Sequence, residues 1–322
     1  MNAIKPVAIT DAMLDSSNVT EDDYDEYAAG TTYGVGDTIM VTDAGIHKIY
    51  ESLVDSNVGN YPPDNLTAVS PAIPWWLEIG PTNRWAMFDY VIGSQTQNAS
   101  LIVVTLTPGE VINSIALLNL DAARIDIAMT DSVDGLVYSD SIILEATEPV
   151  VWGPDEQWGP DEQWGPDEQW QGGANSEIIE KNGLRIDLPP YPNASLTIII
   201  RASGALAQCG AMIIGRSKYL GNTKARPSIG ITDYSSKTVD AWGDFDIVER
   251  AFSKRAQCVF FMRTPYYREV LKFLAAHRAT ALVWALDDTY NITMVYGFYK
   301  EFVITIQSLS MTDCDIGIEG LT

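Results

Sequence analysis

From about residue 96 to residue 215 the chain repeats one local pattern. A short run of apolar or alternating residues is followed by a turn signal, at spacings of about ten positions. The runs are "SLIVVTLTP", "VINSIALLNL", "RIDIAMTD", "GLVYSDSIIL", "GLRIDLP", "SLTIIIRASG" and "CGAMIIG", with turns at Pro108-Gly109 and Asp134-Gly135. In "RIDIAMT" the period of two puts Ile125, Ile127 and Met129 on one face and Asp126 and Ala128 on the other. Short strands at this spacing, each with one apolar face, have to pair and then stack. The expected fold is therefore mainly β, with a jelly-roll-like β-sandwich over residues 81–215.

One segment breaks the pattern. From Trp152 to Trp170 the hexad Trp-Gly-Pro-Asp-Glu-Gln is repeated three times and closed by a fourth Trp. Identical polar units punctuated by Gly-Pro do not pack as a core, so residues 152–170 read as a loop extending between two strands of the sandwich. Two readings of this loop stand side by side. Trp152, Trp158, Trp164 and Trp170 could form an aromatic ladder for sugar or protein contact. The loop could equally be an expansion with no role. Four exposed indoles on a lone chain would promote aggregation, which favours cover by a neighbouring subunit.

Residues 1–26 are polar and acidic, with Asp11, Asp15, Glu21, Asp22, Asp23, Asp25 and Glu26 crowded together. They read as a solvated arm, or as one that Val7, Ile9, Met13 and Leu14 anchor on a neighbour. The segment lacks the alternating Asp spacing of a dedicated calcium loop. Residues 27–80 change character, with short strands ("VGDTIMV", "GIHKIYESL"), Gly turns and a Pro/Asn-rich loop ending in Trp75-Trp76. The order Tyr27, Gly30, Tyr33, Gly36-Asp37, Gly45, Tyr50, Asn57, Gly59, Pro62-Pro63, Trp75-Trp76, Gly80 resembles the small chitin-binding-type carbohydrate modules. The likeness implies surface aromatics that stack on sugar rings, and it points to Tyr50, Trp75 and Trp76 as glycan or partner contacts. The same rings could instead be the miniature core of a unit this small. The insertion before Trp75 departs from the compact family pattern.

The run "WWLEIGPTNRWAMFD" reads as an interdomain joint with Trp85 and Phe88 buried. Residues 216–322 read as a C-terminal antiparallel α+β domain with one helix, over "TPYYREVLKFLAAHRA". Thr264 suits the N-cap and Pro265 the first turn. Val270, Leu271 and Leu274 recur at helical spacing, and His277 and Arg278 sit where the helix dipole favours cations. The segments "GPTNRWAMFD", "VGDTIMV", "LPPYPNASLTIII", "DYSSKTVDAWGDFDIVERAFSKR", "VYGFYKEF" and "IEGLT" resemble a family of tailed-bacteriophage virion proteins. The likeness covers residues 27–322, without the hexad repeat. It implies a structural protein of the tail, baseplate or fibre-attachment region, in contact with copies of itself and other tail proteins and located in the virion after assembly in the host cytoplasm. A host-surface glycan-binding adhesin is the alternative it leaves open.

Composition bounds the rest. Apolar residues make up 46% of 322, enough for sizeable cores. With 20 basic against 43 acidic residues and a net charge of −23, the surface is not one built to hold nucleic acid or anionic lipid. Neither a signal peptide nor a membrane-spanning run is expected. Cys209, Cys258 and Cys314 are widely spaced, with no CxxC, and read as small core residues. His47 and His277 fall in different units, His277 as a helix-end cap, and no GxSxG, HExxH, Walker or dinucleotide motif occurs. Carboxylate pairs are plentiful (Asp155/Glu156 and its repeats, Asp244/Asp246/Glu249, Asp287/Asp288), but 43 acids make chance pairs certain. The expectation is a protein that is not an enzyme and that takes no metal or cofactor.

Overall fold

The computed structural model describes residues 1–322 apart from 44, 68–72, 147–177, 180, 225–226, 240–244, 287–292 and 322. Its strands are, in chain order, β1 (Asn2–Pro6), β2 (Leu14–Ser17), β3 (Thr38–Val41), β4 (Lys48–Ser52), β5 (Trp76–Pro81), β6 (Thr96–Leu106), β7 (Ser114–Asp121), β8 (Arg124–Asp131), β9 (Gly135–Ile143), β10 (Glu145–Ala146), β11 (Ile178–Ile179), β12 (Gly183–Arg185), β13 (Ser195–Tyr219), β14 (Asn222–Thr223), β15 (Ser228–Asp233), β16 (Ser236–Val239), β17 (Phe245–Val248), β18 (Phe252–Arg263), β19 (Leu282–Ala285), β20 (Met294–Ile306) and β21 (Met311–Gly320). Helix α1 (Tyr267–Ala276) lies between β18 and β19. The chain is mainly β, with large antiparallel sheets and one α-helix near the C-terminus among the described residues.

Fourteen strands form one antiparallel sheet that folds over on itself, and β13 is the strand that folds. The first part of β13 pairs with β6 along one edge and β8 along the other. Its later part pairs with β7 and then β1. Between Arg201 and Leu206 the ladder with β6 slips, and Ser100 opposite takes φ +65°. Extra residues on one strand bend it and sharpen its twist, which turns β13 from one layer into the next. Ile102, Val104 and Leu106 of β6, Ile125, Ile127 and Met129 of β8, and Leu196, Ile198 and Ile200 of β13 close on Ile115, Leu117, Met212 and Ile214 of the other layer. The alternation of "RIDIAMT" thus has the inward face that its period demands.

The N-terminal segment is corrected by the structure. Residues 2–6 are not a solvated arm. They form β1, which pairs with β13 on one edge and β19 on the other. Ala3 and Ile4 are fully buried, on opposite faces of the sheet. Val7, Ile9 and Leu14 pack on the chain's own sandwich core, and β2 extends that layer beside β6. The sheet continues from β13 through β1, β19, β20 and β21 to β18, so residues 216–322 share backbone ladders with the sandwich across the boundary expected at 215/216. Gly215 shows how closely β1 is held. A Cβ there would lie 2.0 Å from the Lys5 carbonyl oxygen, so only glycine fits.

Helix α1 covers one face of the C-terminal strands, with Val270 and Leu274 buried against Phe260, Trp284 and Ile316. Leu271, expected on that face, is exposed. Thr264 does not cap the helix. Its hydroxyl donates to the Ser308 carbonyl at 3.0 Å, and a 3-10 turn over Thr264–Tyr266 precedes α1. His277 does close the helix, its Nδ1 2.8 Å from the Phe273 carbonyl oxygen. Cys209, Cys258 and Cys314 are all buried and unpaired as disulfides. Trp152, Trp158, Trp164 and Trp170 lie outside the described residues, as do the hexad carboxylates, Asp244, Asp287 and Asp288. On either side of the segment 147–177, β10 and β11 pair with each other.

If β1 joins the two halves of the sheet, Ile4→Ala should cost about 2–5 kcal/mol, the range for emptying a buried aliphatic site. Gly215→Ala should also lower the melting temperature. Thermal unfolding by circular dichroism is the check, and unchanged transitions in both variants would contradict this role.

Candidate functional site

The module at residues 27–81 is built on the three-stranded sheet β3–β4–β5. Gly36 and Gly45, at φ +87° and +76°, supply the left-handed turns on either side of β3. On the inner face, Ile39, Val41, Tyr50 and Trp76 form a core with Tyr33, and Tyr27 and Tyr61 pack on it. The rings meet edge-on and stacked: Tyr33–Trp76 centroids are 5.3 Å apart, Tyr27–Tyr61 5.7 Å and Tyr27–Tyr33 5.9 Å. The Trp76 indole N–H donates to the Asn60 carbonyl at 2.8 Å, and buried Asn57 ties the same loop to Ser52.

This geometry divides the three aromatic contacts expected from sequence. Tyr50 and Trp76 are each 1% exposed, so neither can stack on a sugar or meet a partner unless the module opens. They are its core, and burial pushes the Tyr50 hydroxyl up to about 12. Trp75 is at the surface, 38% exposed. It stands in a row with Ile73, Leu77 and Ile79, all exposed, along or just before β5. β5 pairs only with β4, so this apolar row lies at an open sheet edge among the described residues.

The module is fastened to the rest by His47. Its Nδ1 is 2.8 Å from Glu21 Oε1 and its Nε2 2.8 Å from Asp11 Oδ1. The ring stacks on Trp85 with centroids 4.1 Å apart and planes 12° from parallel. Glu21 is buried and also accepts from the Thr82 hydroxyl at 2.7 Å, with Arg84 Nη1 at 3.4 Å. Three parts of the chain meet here: the acidic segment, the module and the joint. The acids Asp11 and Glu21 therefore hold the module in place. Although His47, Glu21 and Thr82 are aligned like a proton relay, the Thr82 hydroxyl is fully buried and donates to a carboxylate. The cluster ties the three segments together. Phe88 is buried as expected, whereas Trp85 is only half-buried.

A second apolar edge, not singled out from the sequence, lies on the hairpin of β16 and β17. Among the described residues these strands pair only with each other. Phe245 and Ile247, two positions apart on one face, are 71% and 63% exposed. Lys237 and Asp233, 2.8 Å apart, brace the hairpin base. The alternation in "FDIV" was readable as a strand, but the absence of a covering layer was not. Among the described residues no group of three His, Cys, Asp or Glu side chains could hold a metal ion, and no helix is long and apolar enough to cross a membrane. Comparison with protein-family models finds no match, and comparison with curated proteins finds none either.

His47→Ala removes the stacking and both carboxylate contacts. Asp11 is half-exposed and contributes little, so most of the loss comes from Glu21, left buried with fewer donors. The expected destabilisation is about 1–3 kcal/mol by urea unfolding. An unchanged midpoint would mean that the clasp is ornamental.

Proposed function

We propose that this chain is a structural component of a tailed-bacteriophage virion, in the tail, baseplate or fibre-attachment region, and that it works by association with copies of itself and with other tail proteins. The resemblance carried by "GPTNRWAMFD", "DYSSKTVDAWGDFDIVERAFSKR" and "VYGFYKEF" suggests the setting. The observation that supports association is the hairpin β16–β17. A two-stranded ribbon is marginal alone in water. One that also shows an aromatic and a β-branched side chain to solvent, with both outer edges unpaired among the described residues, is an aggregation hazard unless another chain covers it. Ring or tube assembly supplies such a cover for every copy.

The test is the size of the protein in solution. The wild type should sediment as a closed oligomer. Phe245→Ser with Ile247→Ser should release folded monomers, since buried anchors of this kind carry about 2 kcal/mol or more each. A wild type that stays monomeric at high micromolar concentration would refute the proposal.

A second reading rests on Trp75. A surface indole beside Ile73 suits stacking on a sugar face, and this favours a host-surface adhesin. Under that reading, glycan-array binding disappears in Trp75→Ala while the oligomer stays intact. Trp76→Ala is unsuitable for the purpose, because it empties the module's core.

A further inference from the structure

Away from the module and the hairpin, a cleft of about 470 Å³ opens where the end of β7, the start of β18 and the start of β20 converge. This volume suits a small organic molecule. Its walls are largely apolar, with Leu118, Met294, Phe252 and Leu321 among them.

Two features set this cleft apart. The first is charge. The chain carries 43 acidic residues against 20 basic, yet no acidic side chain lines this cleft among the described residues, while Lys181 and Lys254 do. Other large clefts each include carboxylates: Glu269 in one, Glu301 and Asp315 in the second, Asp11 and Glu78 in the third. The second feature is a surplus of donors. The Lys254 ammonium forms no ion pair or hydrogen bond among the described residues. The Tyr296 hydroxyl, on a residue only 5% exposed, forms none among them either. Asn182 uses its amide oxygen to accept from the Asn119 N–H at 3.2 Å, which leaves its NH₂ group free. The nearby Asp89 carboxylate is already occupied by the Val91 N–H at 2.7 Å and the Ser94 hydroxyl at 2.6 Å. None of these three donors is sealed from water, so an anion entering the cleft would replace solvent on them with charge-assisted hydrogen bonds. Burial pushes the Tyr296 hydroxyl up to about 12, so it remains a donor across the neutral range.

We propose that this cleft binds a small apolar carboxylate, with its acid group on Lys254, Tyr296 and Asn182 and its hydrocarbon against Leu118, Met294 and Leu321. The unpaired cation sets the sign of the head group, and the apolar walls select the body. The hydrophobic part supplies affinity in proportion to the area it buries, and the head group supplies the choice between acid and alcohol.

The experiment titrates the full chain with decanoate and, separately, with decan-1-ol, by calorimetry. Decanoate should bind once per chain and more tightly than the alcohol. Lys254→Met should weaken decanoate roughly tenfold to a hundredfold and leave decan-1-ol unchanged, while Lys254→Arg retains binding. In the wild type, decanoate should also protect Lys254 from acetylation by acetic anhydride, read by peptide mass spectrometry, which needs no variant to fold. The proposal is overturned if decanoate does not bind, if it binds no better than decan-1-ol, or if Lys254 is acetylated equally with and without it.

Discussion

The backbone ladder along β13 is the constraint on which the rest of the molecule depends. A buried strand needs partners on both edges, because each unpaired N–H or C=O away from water is costly. β13 runs for 25 residues, far beyond an ordinary strand, and four others serve its edges in turn: β6, β8, β7 and β1. The last is supplied by the first residues of the chain. β1 satisfies β13 on one side and β19 on the other, so the sandwich and the C-terminal strands become one sheet. The apolar faces then follow. Ile4 joins a core with Ile213 and Val283, while Ala3 faces Trp284 and the helix side. With the ends of the chain locked together, the segment after β1 has a fixed path, and Asp11 and Glu21 reach His47 from it.

Much of this fold was legible in the sequence, for reasons that are local. Period-two alternation in "RIDIAMT" names the buried face of β8 without reference to any partner. Pro265 on one side and His277 and Arg278 on the other mark the helix near its observed ends. What was not legible is non-local. "NAIKP" is too short to show periodicity, and nothing in it says that β13 and β19 will flank it. Acid-rich sequence around it argued for solvent, because the pairing of Glu21 with His47 and Arg84 spans more than twenty residues in either case. The boundary expected at 215/216 lies inside β13, where its ladder with β1 begins, and that pairing is equally non-local. Thr264 carried a cap's chemistry but found the Ser308 carbonyl first.

The candidate site was legible in residue type and illegible in orientation. Tyr50, Trp75 and Trp76 have the same chemistry for stacking on a sugar or for filling a small core. Only the register of β4 with β5 sends Trp76 inward beside Tyr33 and leaves Trp75 out. The hairpin and the Lys254 cleft are set by what does not cover them, and a sequence does not record that. Together these features describe a chain whose interior is closed by long ladders and which leaves Trp75, Phe245 and Ile247 uncovered on strand edges. At a net charge of −23 copies of the chain repel one another at long range, so the proposed contact between them would have to come from such short-range surfaces, with salt in the physiological range screening the opposition.

The central claim is that these strand edges exist to be gripped by neighbours. Hydrogen–deuterium exchange of the wild-type protein over a concentration series tests it most directly. The account predicts that the backbone amides of β16 and β17 exchange quickly in dilute protein and become strongly protected as concentration rises, while those of β1 and β13 stay protected throughout. If the hairpin amides exchange at the same rapid rate at every concentration, no neighbour covers them and the account is contradicted.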